Sequence, residues 1–456
     1  MHVSFLSSRP TGRVARLFAI GLMLSLVGGS VNAESPYSAT AQPIRGEFLK
    51  PPEKLEPPTE FAIATAPPIV QMVQIPVPET PADPWSIWGY GLLHSSGKFY
   101  IPVGDHMGID ANSYLYEYDH QAKTVRQVAD LQTGVKGFTK GDFGFGKIHG
   151  RLNEGTDGQI YFATYWGQWR KDSQRYEGDR VFRFDPQAGQ LTDLGMPLYG
   201  WGYPSTHMSP RHGLLYAESH QRKGNSQGDP DNDFVATDYK SYKDPYHVKF
   251  LVYDLVKQKI VFHGGHEGLN YGRDFFVDAK GNAYWNDGEG RLEKYDPSTN
   301  QVSKVDAKMP GESIRRTIGP DANGLLYGVT HDTRKLFRFD LKAQKCQTIT
   351  TVWADSPAMD VTPDGKYVYY IPGGHGPSSG TPLIQVDVAE GTQKVIGFLH
   401  EAVWQQTDFN LGGTYCLQIS DDGGTAYIGF NGKVGDLKKA WGGLAVLTVE
   451  IPASER

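Results

Sequence analysis

The chain has 456 residues, of which 39% are hydrophobic and 12% aromatic, and its formal net charge at pH 7 is −6. The acidic balance and the lack of a Lys/Arg-rich run exclude a nucleic-acid-binding surface of the usual basic kind. Two cysteines are too few for a disulfide framework or a cysteine-based zinc cluster. What remains is a large folded protein that binds or acts on something other than nucleic acid.

The first residues have the pattern of a secretory signal peptide. Arg9, Arg13 and Arg16 form a positively charged region, and the apolar stretch Leu17 to Gly29 is too short to span a bilayer. Small residues ending at Ala33 provide a cleavage site. The sequence therefore predicts a signal peptide at residues 1–33 and an exported mature chain, periplasmic or secreted, without a membrane span. A retained membrane anchor is the alternative.

Residues 34–84 are rich in proline and cannot form a core of their own. An extended conformation is expected for this segment, since proline-rich chains are stiff and open. Within it, Ile69 to Ile75 (IVQMVQI) has the residue types of a β-strand.

From residue 85 onward, one sequence unit returns seven times. A short aromatic strand ends, in most units, on an acid followed by a turn, and a second apolar run precedes it. The seven instances are Ser113–Asp119, Arg180–Asp185, Lys249–Asp254, Arg291–Asp296, Lys335–Asp340, Leu383–Val388 and Leu444–Ile451. A period of about 40–50 residues built from four short strands is typical of a β-propeller blade. The sequence therefore predicts an all-β fold at residues 85–456, a single seven-bladed β-propeller of four-stranded antiparallel blades, although six or eight blades also fit the spacing.

The last unit predicts how the ring closes. The chain ends soon after the strand Leu444–Ile451, so this blade lacks a fourth strand. The strand at Ile69–Ile75 has no blade of its own, and its pairing with the last blade would leave no open sheet edge. Cys346 and Cys416 then fall on strands of different blades, where a disulfide is not expected.

Connection lengths predict which face carries the function. We name the strands of a blade A to D from the axis outward. The long connections join B to C and D to A, and these emerge on one face, called the axial face. The residues at the B-strand ends there are His106, Trp166, His220, Asp287, His331 and His375, and the residues entering the A strands are His149, Arg151, His207, Arg273, Asp274, Arg315, Arg316 and Asp360. Because the A strands converge on the axis, these groups are expected to meet, although a single histidine at a strand end is more simply a turn residue.

Two further features of the sequence limit the kinds of site that it can form. Arg315 and Arg316 are adjacent on one strand, so only one of them is expected to face the channel. The acidic stretch Asp229–Asp233 resembles the start of a calcium loop but lacks the glycine and glutamate that an EF-hand requires. Sequence motifs of the serine-hydrolase elbow, the phosphate-binding loop and the zinc protease helix are absent.

Over about residues 85–452, the repeated strand–Asp–Pro–turn pattern resembles exported bacterial propellers. These are the oligogalacturonate and ulvan lyase propellers, the streptogramin-lyase-like group and the gluconolactonase-like group. For the lyases, the resemblance implies a histidine-rich centre, arginines that hold uronate carboxylates and, in some, a divalent metal. The acidic inner positions of the gluconolactonase-like pattern are represented here by Asp274 and Asp360 alone.

The residue types and the resemblance together give each candidate residue a role. The candidates for catalysis are His149, His207 and Tyr271, and those for substrate binding are Arg151, Arg273, Arg315, Arg316 and Trp166. A divalent metal ion is the one cofactor considered, with candidate ligands His106, His220, His331 and His375.

Two functions remain open at this point. One is β-elimination on an acidic polysaccharide or oligosaccharide, which needs a cation to neutralise the carboxylate, a base and an acid. The other is a non-catalytic propeller that binds a glycan, a peptide or a partner protein, since the same fold occurs in enzymes and in binding proteins. In either case a carbohydrate or other small anionic ligand and a monomeric protein are expected.

Overall fold

The computed structural model describes residues 37–79, 85–166, 176–222, 246–264, 273–376 and 380–456. The predicted signal peptide, the acidic loop at 229–233 and Tyr271 lie outside these ranges. The described residues form seven sheets of four or five strands arranged as a seven-bladed β-propeller, which confirms the predicted fold. Within these ranges, the structure has no helix that is both long and apolar enough to cross a membrane.

Four short strands precede the blades, and seven groups of four or three strands follow them in chain order. The first four are β1 (Ser38–Thr40), β2 (Gln42–Ile44), β3 (Ala62–Ile63) and β4 (Ile69–Gln74). Blades one to three contain β5 (Leu92–Leu93), β6 (Lys98–Gly104), β7 (Ser113–Asp119) and β8 (Thr124–Asp130); β9 (Asn153–Glu154), β10 (Ile160–Ala163), β11 (Val181–Asp185) and β12 (Gln190–Asp193); and β13 (Trp201–Ser209), β14 (Leu214–Arg222), β15 (Tyr246–Asp254) and β16 (Lys259–Gly264).

The remaining blades follow the same order from the axis outward. Blades four to seven contain β17 (Phe276–Val277), β18 (Ala283–Asn286), β19 (Arg291–Asp296) and β20 (Gln301–Lys308); β21 (Ile314–Ile318), β22 (Leu326–Thr330), β23 (Lys335–Asp340) and β24 (Lys345–Thr351); β25 (Ala358–Val361), β26 (Tyr367–Ile371), β27 (Pro382–Asp387) and β28 (Gln393–Phe398); and β29 (Phe409–Ile419), β30 (Thr425–Val434) and β31 (Gly443–Glu450). Two short α-helices lie between blades, α1 (Leu131–Gly134) and α2 (His400–Thr407).

The strand β4 closes the ring as predicted. It pairs antiparallel with β31, with Val73 opposite Val446. Val70 and Met72 pack in the core that blades six and seven share, whereas Val73 packs in the core between blades seven and one. Because both faces of β4 are buried, the strand is largely apolar rather than alternating.

The rest of the N-terminal segment adds strands to three neighbouring blades. β1 pairs with β8 of blade one, β2 pairs with β4 in blade seven, and β3 runs parallel to β28 of blade six. These strands cover the outer edges on both sides of the closure. They were not predicted, because strands of two or three residues are too short to show a periodicity.

In blades one to six the C strand ends on an aspartate that caps the turn to the D strand. These turns and the A-to-B turns form the turn face, opposite the axial face. Asp185 Oδ1 accepts hydrogen bonds from the backbone N–H groups of Gln187 and Ala188 at 2.8 and 3.0 Å. The same pair of bonds recurs at Asp119, Asp254, Asp340 and Asp387. The repeated acid is therefore a turn-forming residue.

Blade seven has no covalent C-to-D turn, because β31 and β4 come from opposite ends of the chain. Glu455 takes the place of the capping aspartate. It accepts hydrogen bonds from the N–H and hydroxyl of Thr65, each at 2.7 Å, from the N–H of Ala66 at 3.2 Å and from Lys394 Nζ at 2.9 Å. Burial raises the pKa of Glu455, but these bonds outweigh burial and hold the pKa at about 2.

Both cysteines are free thiols, as expected. Cys346 lies on the outer strand β24, and Cys416 lies on the inner strand β29 of another blade. Cys416 is buried, and its Sγ accepts a hydrogen bond from the N–H of Gly91 at 3.1 Å. Burial raises the pKa of this thiol to about 12, so Cys416 is an inert core residue.

Candidate functional site

A buried ion-pair cluster lies where the A strands of blades two to five converge. This inner cluster consists of Asp274, Arg151, His207, Arg316 and Thr317. The carboxylate of Asp274 is bonded by Arg151, lies 3.2 Å from His207 Nε2 and lies 3.6 Å from Arg316 Nη1. The N–H and the hydroxyl of Thr317 donate to the same carboxylate at 2.8 and 3.1 Å. The structure thus brings together three of the predicted residues, Arg151, His207 and Arg316.

The electrostatics of the inner cluster make His207 a poor base. Burial by itself raises the pKa of Asp274, but Arg151 and His207 outweigh it and the pKa falls well below its usual value. Burial, followed by the charge of Arg151, lowers the pKa of His207 to about 4. Arg151 Nε–H donates to His207 Nε2, so the lone pair on that nitrogen is already engaged.

A second group, the rim cluster, consists of Arg315, Asp355, His375 and Tyr415. Arg315 binds the carboxylate of Asp355 through Nε and Nη2 at 2.5 and 3.1 Å. The hydroxyl of Tyr415 lies 2.7 Å from His375 Nε2, and His375 Nδ1 lies 3.5 Å from Asp355 Oδ2. Burial raises the pKa of Asp355, but His375 and Arg315 outweigh burial and lower it well below its usual range. His375 is exposed, so the cluster reaches the surface of the axial face.

Arg315 and Arg316 both reach the polar centre, contrary to the expectation that only one would. The register of β21 against β22 shifts between Ile314 and Arg316, which makes Arg315 the extra residue of a β-bulge. Each arginine is 1% exposed. Strict alternation, on which the expectation rested, does not hold across a bulge.

His149 lies in the same region as a neutral imidazole. Its Nδ1 lies 2.7 Å from the carbonyl oxygen of Pro204. A carbonyl can only accept, so Nδ1 carries the proton and Nε2 carries the lone pair. Burial, and then the charges of Lys147, Arg273 and Arg315, lower the pKa of His149 well below its usual value. The charges of Arg273 and Arg315 therefore both act on His149, and the role of these residues in the site stays a prediction.

Two tryptophans form an aromatic wall beside the rim cluster. Trp88 and Trp441 stack with ring centroids 4.6 Å apart and planes 15° apart. The Trp88 ring also contacts the rings of His375 and Tyr415, at 5.7 and 5.4 Å. Lys147 is 4% exposed, and its Nζ lies 5.4 Å from the centroid of Trp88. Aromatic and cationic side chains are thus adjacent on this face.

Four histidines were the candidate ligands for a divalent metal ion: His106, His220, His331 and His375. His106 Nε2 lies 3.2 Å from Lys147 Nζ, and His220 Nε2 lies 2.6 Å from Glu218 in a fully buried position. Across the described ranges, no three His, Cys, Asp or Glu side chains are arranged to hold a metal ion. The four histidines do not form the predicted ligand set, because His106 lies against Lys147 and His220 is buried against Glu218, whereas His375 lies beside Asp355 of the rim cluster. The described residues therefore do not form a binding site for a divalent metal ion.

Trp166, a candidate for substrate binding, is not exposed on the axial face. Its side chain is fully buried, with ring centroids 4.3 Å from Tyr165 and 5.8 Å from Tyr176. Exposure cannot be read from a loop position, because aromatic side chains also pack the loops that carry them.

Several residues of the site were not predicted, namely Trp88, Lys147, Asp355, Tyr415 and Trp441. Trp441 lies on a long B-to-C connection of the class that predicted the axial face, so the loop length contained a signal for it, whereas Asp355 lies on the short connection between β24 and β25. Tyr415 lies in the middle of β29, where the sequence does not distinguish it from a core tyrosine.

Comparison with known proteins gives the fold. No family model and no curated protein matches the sequence. A solved structure of oligogalacturonate lyase in complex with manganese is similar at a TM-score of 0.53 and 12% identity, covering 92% of this chain and 99% of that chain. Structures of U3-55K and of the RRP9 WD40 repeats each give a TM-score of 0.49, at 9% and 10% identity, covering 82% and 85% of this chain and 98% and 99% of theirs. The similarity to the lyase confirms the predicted resemblance at the level of the fold, and the fold is that of a seven-bladed β-propeller.

Proposed function

We propose that the axial face binds an acidic saccharide through a site centred on Arg315. The observation that carries the proposal is the bonding of its guanidinium, which is 1% exposed. Nε and Nη2 are bound to Asp355, whereas Nη1 has no hydrogen-bond acceptor within the described part of the chain. A buried donor without an acceptor costs about 1–3 kcal/mol. A carboxylate oxygen of a ligand would satisfy it with a charge-assisted hydrogen bond.

The charge around Arg315 favours an anionic ligand. Other cationic side chains act on the same buried rings as Arg315, namely Lys147 and Arg273 on His149, and Arg151 and Arg316 on Tyr90. Asp274 and Asp355 face them with lowered pKa values, whereas burial raises the pKa of Glu218 and raises that of Asp360 to about 6. Although the chain as a whole carries a formal net charge of −6, the cations grouped on this face create a local positive field, and this field attracts an anion.

Calorimetric titration with pectic, alginate and ulvan-type oligosaccharides tests the binding. We expect binding that weakens as salt is added, since charge–charge attraction is screened. Arg315→Lys keeps the charge but removes the Nη1–H donor offered to the ligand and the paired bonds to Asp355 that orient it, so affinity should fall about tenfold or more. Arg338→Lys is the matched control, because its guanidinium binds Gln347 at an exposed position of the same blade. Equal affinity in both variants, or no binding to any of the acidic oligosaccharides, would contradict the proposal.

Cleavage by β-elimination is a second candidate activity, and the state of His149 favours it. A neutral imidazole with its lone pair on Nε2 can accept the proton next to the carboxylate of a uronate ring. The electron pair left behind forms the C4–C5 double bond, and the C4–oxygen bond to the next sugar breaks. The leaving oxygen takes a proton from an acid, for which Tyr271 remains the predicted residue. Arg315 and Arg273 would stabilise the negative charge that develops on the carboxylate.

The absorbance of the unsaturated uronate product distinguishes an enzyme from a binding protein. We expect product from the wild-type protein and none from His149→Ala, with binding to the same oligosaccharide retained in the variant. Binding without product in the wild type would support the non-catalytic alternative, in which the same site only recognises the glycan.

We also propose that the protein acts after export. Residues 1–33 have the charged, apolar and small-residue regions of a signal peptide. N-terminal sequencing of the protein from the culture medium or periplasm should then give Glu34 as the first residue. A mature protein that retains Met1 would overturn this proposal.

A further inference from the structure

The aromatic wall of Trp88 and Trp441 lies beside the rim cluster and has no role in the binding of a carboxylate. Both tryptophans are partly exposed on the axial face. The wall is connected to Arg315 through one ring, since Trp88 contacts Tyr415 and the Arg315 guanidinium carbon lies 5.0 Å from the Tyr415 centroid. An apolar flat surface therefore stands directly next to the proposed carboxylate site.

The wall is held in place by the protein. Asn431 donates to the carbonyl oxygen of Ile87 at 2.9 Å and accepts from its N–H at 2.7 Å, which fixes the backbone next to Trp88. Asn410 Nδ2 donates to the carbonyl oxygen of Lys439 at 2.7 Å, two residues before Trp441. A Cβ on Gly412 would clash with the carbonyl oxygen of Ala440, so the loop lies directly against the strand β29. This anchoring makes the wall a preformed surface rather than one that ligand binding must order.

We propose that the aromatic wall is a second saccharide subsite, so that the axial face recognises at least two linked sugar rings. This inference rests on the proposed function. The charged ring places its carboxylate on Arg315, and the neighbouring ring packs its apolar C–H face on Trp441. Aromatic faces are electron-rich and attract the weakly positive C–H edge of such a ring, and a contact of this kind changes affinity by about tenfold. A wall of two rings selects oligomers over the free acidic sugar.

Titration calorimetry with galacturonate, digalacturonate and trigalacturonate tests the subsite. We expect Trp441→Ala to weaken binding of the dimer and trimer about tenfold and to leave binding of the monomer unchanged. Trp441→Phe retains a ring and should stay within about threefold of the wild type. Arg315→Lys should weaken all three ligands together. Circular dichroism and melting temperature confirm that the Trp441 variants are folded.

The outcomes separate the subsite from the proposed function. If the three acids bind but Trp441→Ala has no effect, or weakens monomer and trimer equally, the subsite is wrong and the proposed function stands. If none of the acids binds while cellotriose binds in a manner that depends on Trp441, the proposed function is wrong and the aromatic subsite stands. If neither the acids nor cellotriose bind, both are overturned.

Discussion

The turn face and the axial face of the propeller use the same repeat in opposite ways. On the turn face, blades carry the same capping aspartate with the same pair of backbone hydrogen bonds, as at Asp185 and Asp340. On the axial face, corresponding B-strand ends carry the exposed His375 in one blade and the buried His220 in another. The residues that repeat stabilise each blade, whereas the residues that break the repeat meet at the axis and form the candidate site.

The carboxylates of the two faces also differ in what they bind. A turn-face aspartate such as Asp185 is half-buried and accepts from backbone N–H groups within its own turn. Asp274 on the axial side is 2% exposed and binds Arg151 from another blade. Removal of the Asp274 carboxylate leaves buried cations without a counter-charge, so it should lower the free energy of unfolding much more than removal of a turn-face carboxylate does.

The largest effect on stability is expected from Asp274→Asn. The substitution keeps the size of the side chain but leaves Arg151 and Arg316 buried without an anion. We expect the free energy of unfolding to fall by about 3–5 kcal/mol, measured by urea denaturation at pH 7. The double variant Asp274→Leu with Arg151→Met removes the carboxylate and one of its two arginines, and it should be less destabilised than Asp274→Leu alone. A loss below about 1 kcal/mol would show that the inner cluster is not a tightly coupled unit.

An intermediate effect is expected from Glu455→Gln, which weakens the non-covalent cap of blade seven. Loss of charge-assisted bonds to Thr65 and Lys394 should lower the free energy of unfolding by about 2 kcal/mol at pH 7. The pKa of Glu455 is about 2 in the folded protein and about 4.3 when unfolded, so its contribution is present above about pH 4.3 and is lost as the pH falls towards 2.

The difference between Glu455→Gln and the wild type should therefore shrink between about pH 4.3 and 2. Glu401→Gln is the matched control, because Glu401 lies on the exposed surface of α2. A difference that is constant with pH would mean that the carboxylate charge does not stabilise the closure.

The smallest effect is expected from Asp185→Ala on the turn face. Loss of two backbone hydrogen bonds should lower the free energy of unfolding by about 1 kcal/mol, because the turn is solvated and its N–H groups can bind water. Binding of the acidic oligosaccharide should be unchanged by calorimetry, since the turn lies on the opposite face. A change in affinity would contradict the claim that the turn face does not contribute to ligand binding on the axial face.

Much of the fold could be predicted from the sequence, because the same pattern of strand and turn residues recurs in every unit of the repeat. The aromatic strands ending at Asp185 or Asp340 showed the blade, and the apolar run at Ile69 showed the closing strand. The axial location of His149, Arg273 and Arg315 also followed from strand order, since all A strands converge.

Only the tertiary structure decided how the site is assembled. The bulge at Arg315 brings two adjacent arginines into the centre. Tyr415 and Trp441 come from blade seven and Asp355 from the connection between blades five and six, and the sequence shows no contact among them. Burial of Trp166 and His220 likewise depends on neighbouring loops. The sequence determined by itself what is local and repeated, namely the strands of the blades and their turns, and it favoured seven blades although six or eight also fitted the spacing. Contacts among the non-repeated side chains depend on the positions of residues far apart in the chain, and these positions exist only in the folded ring.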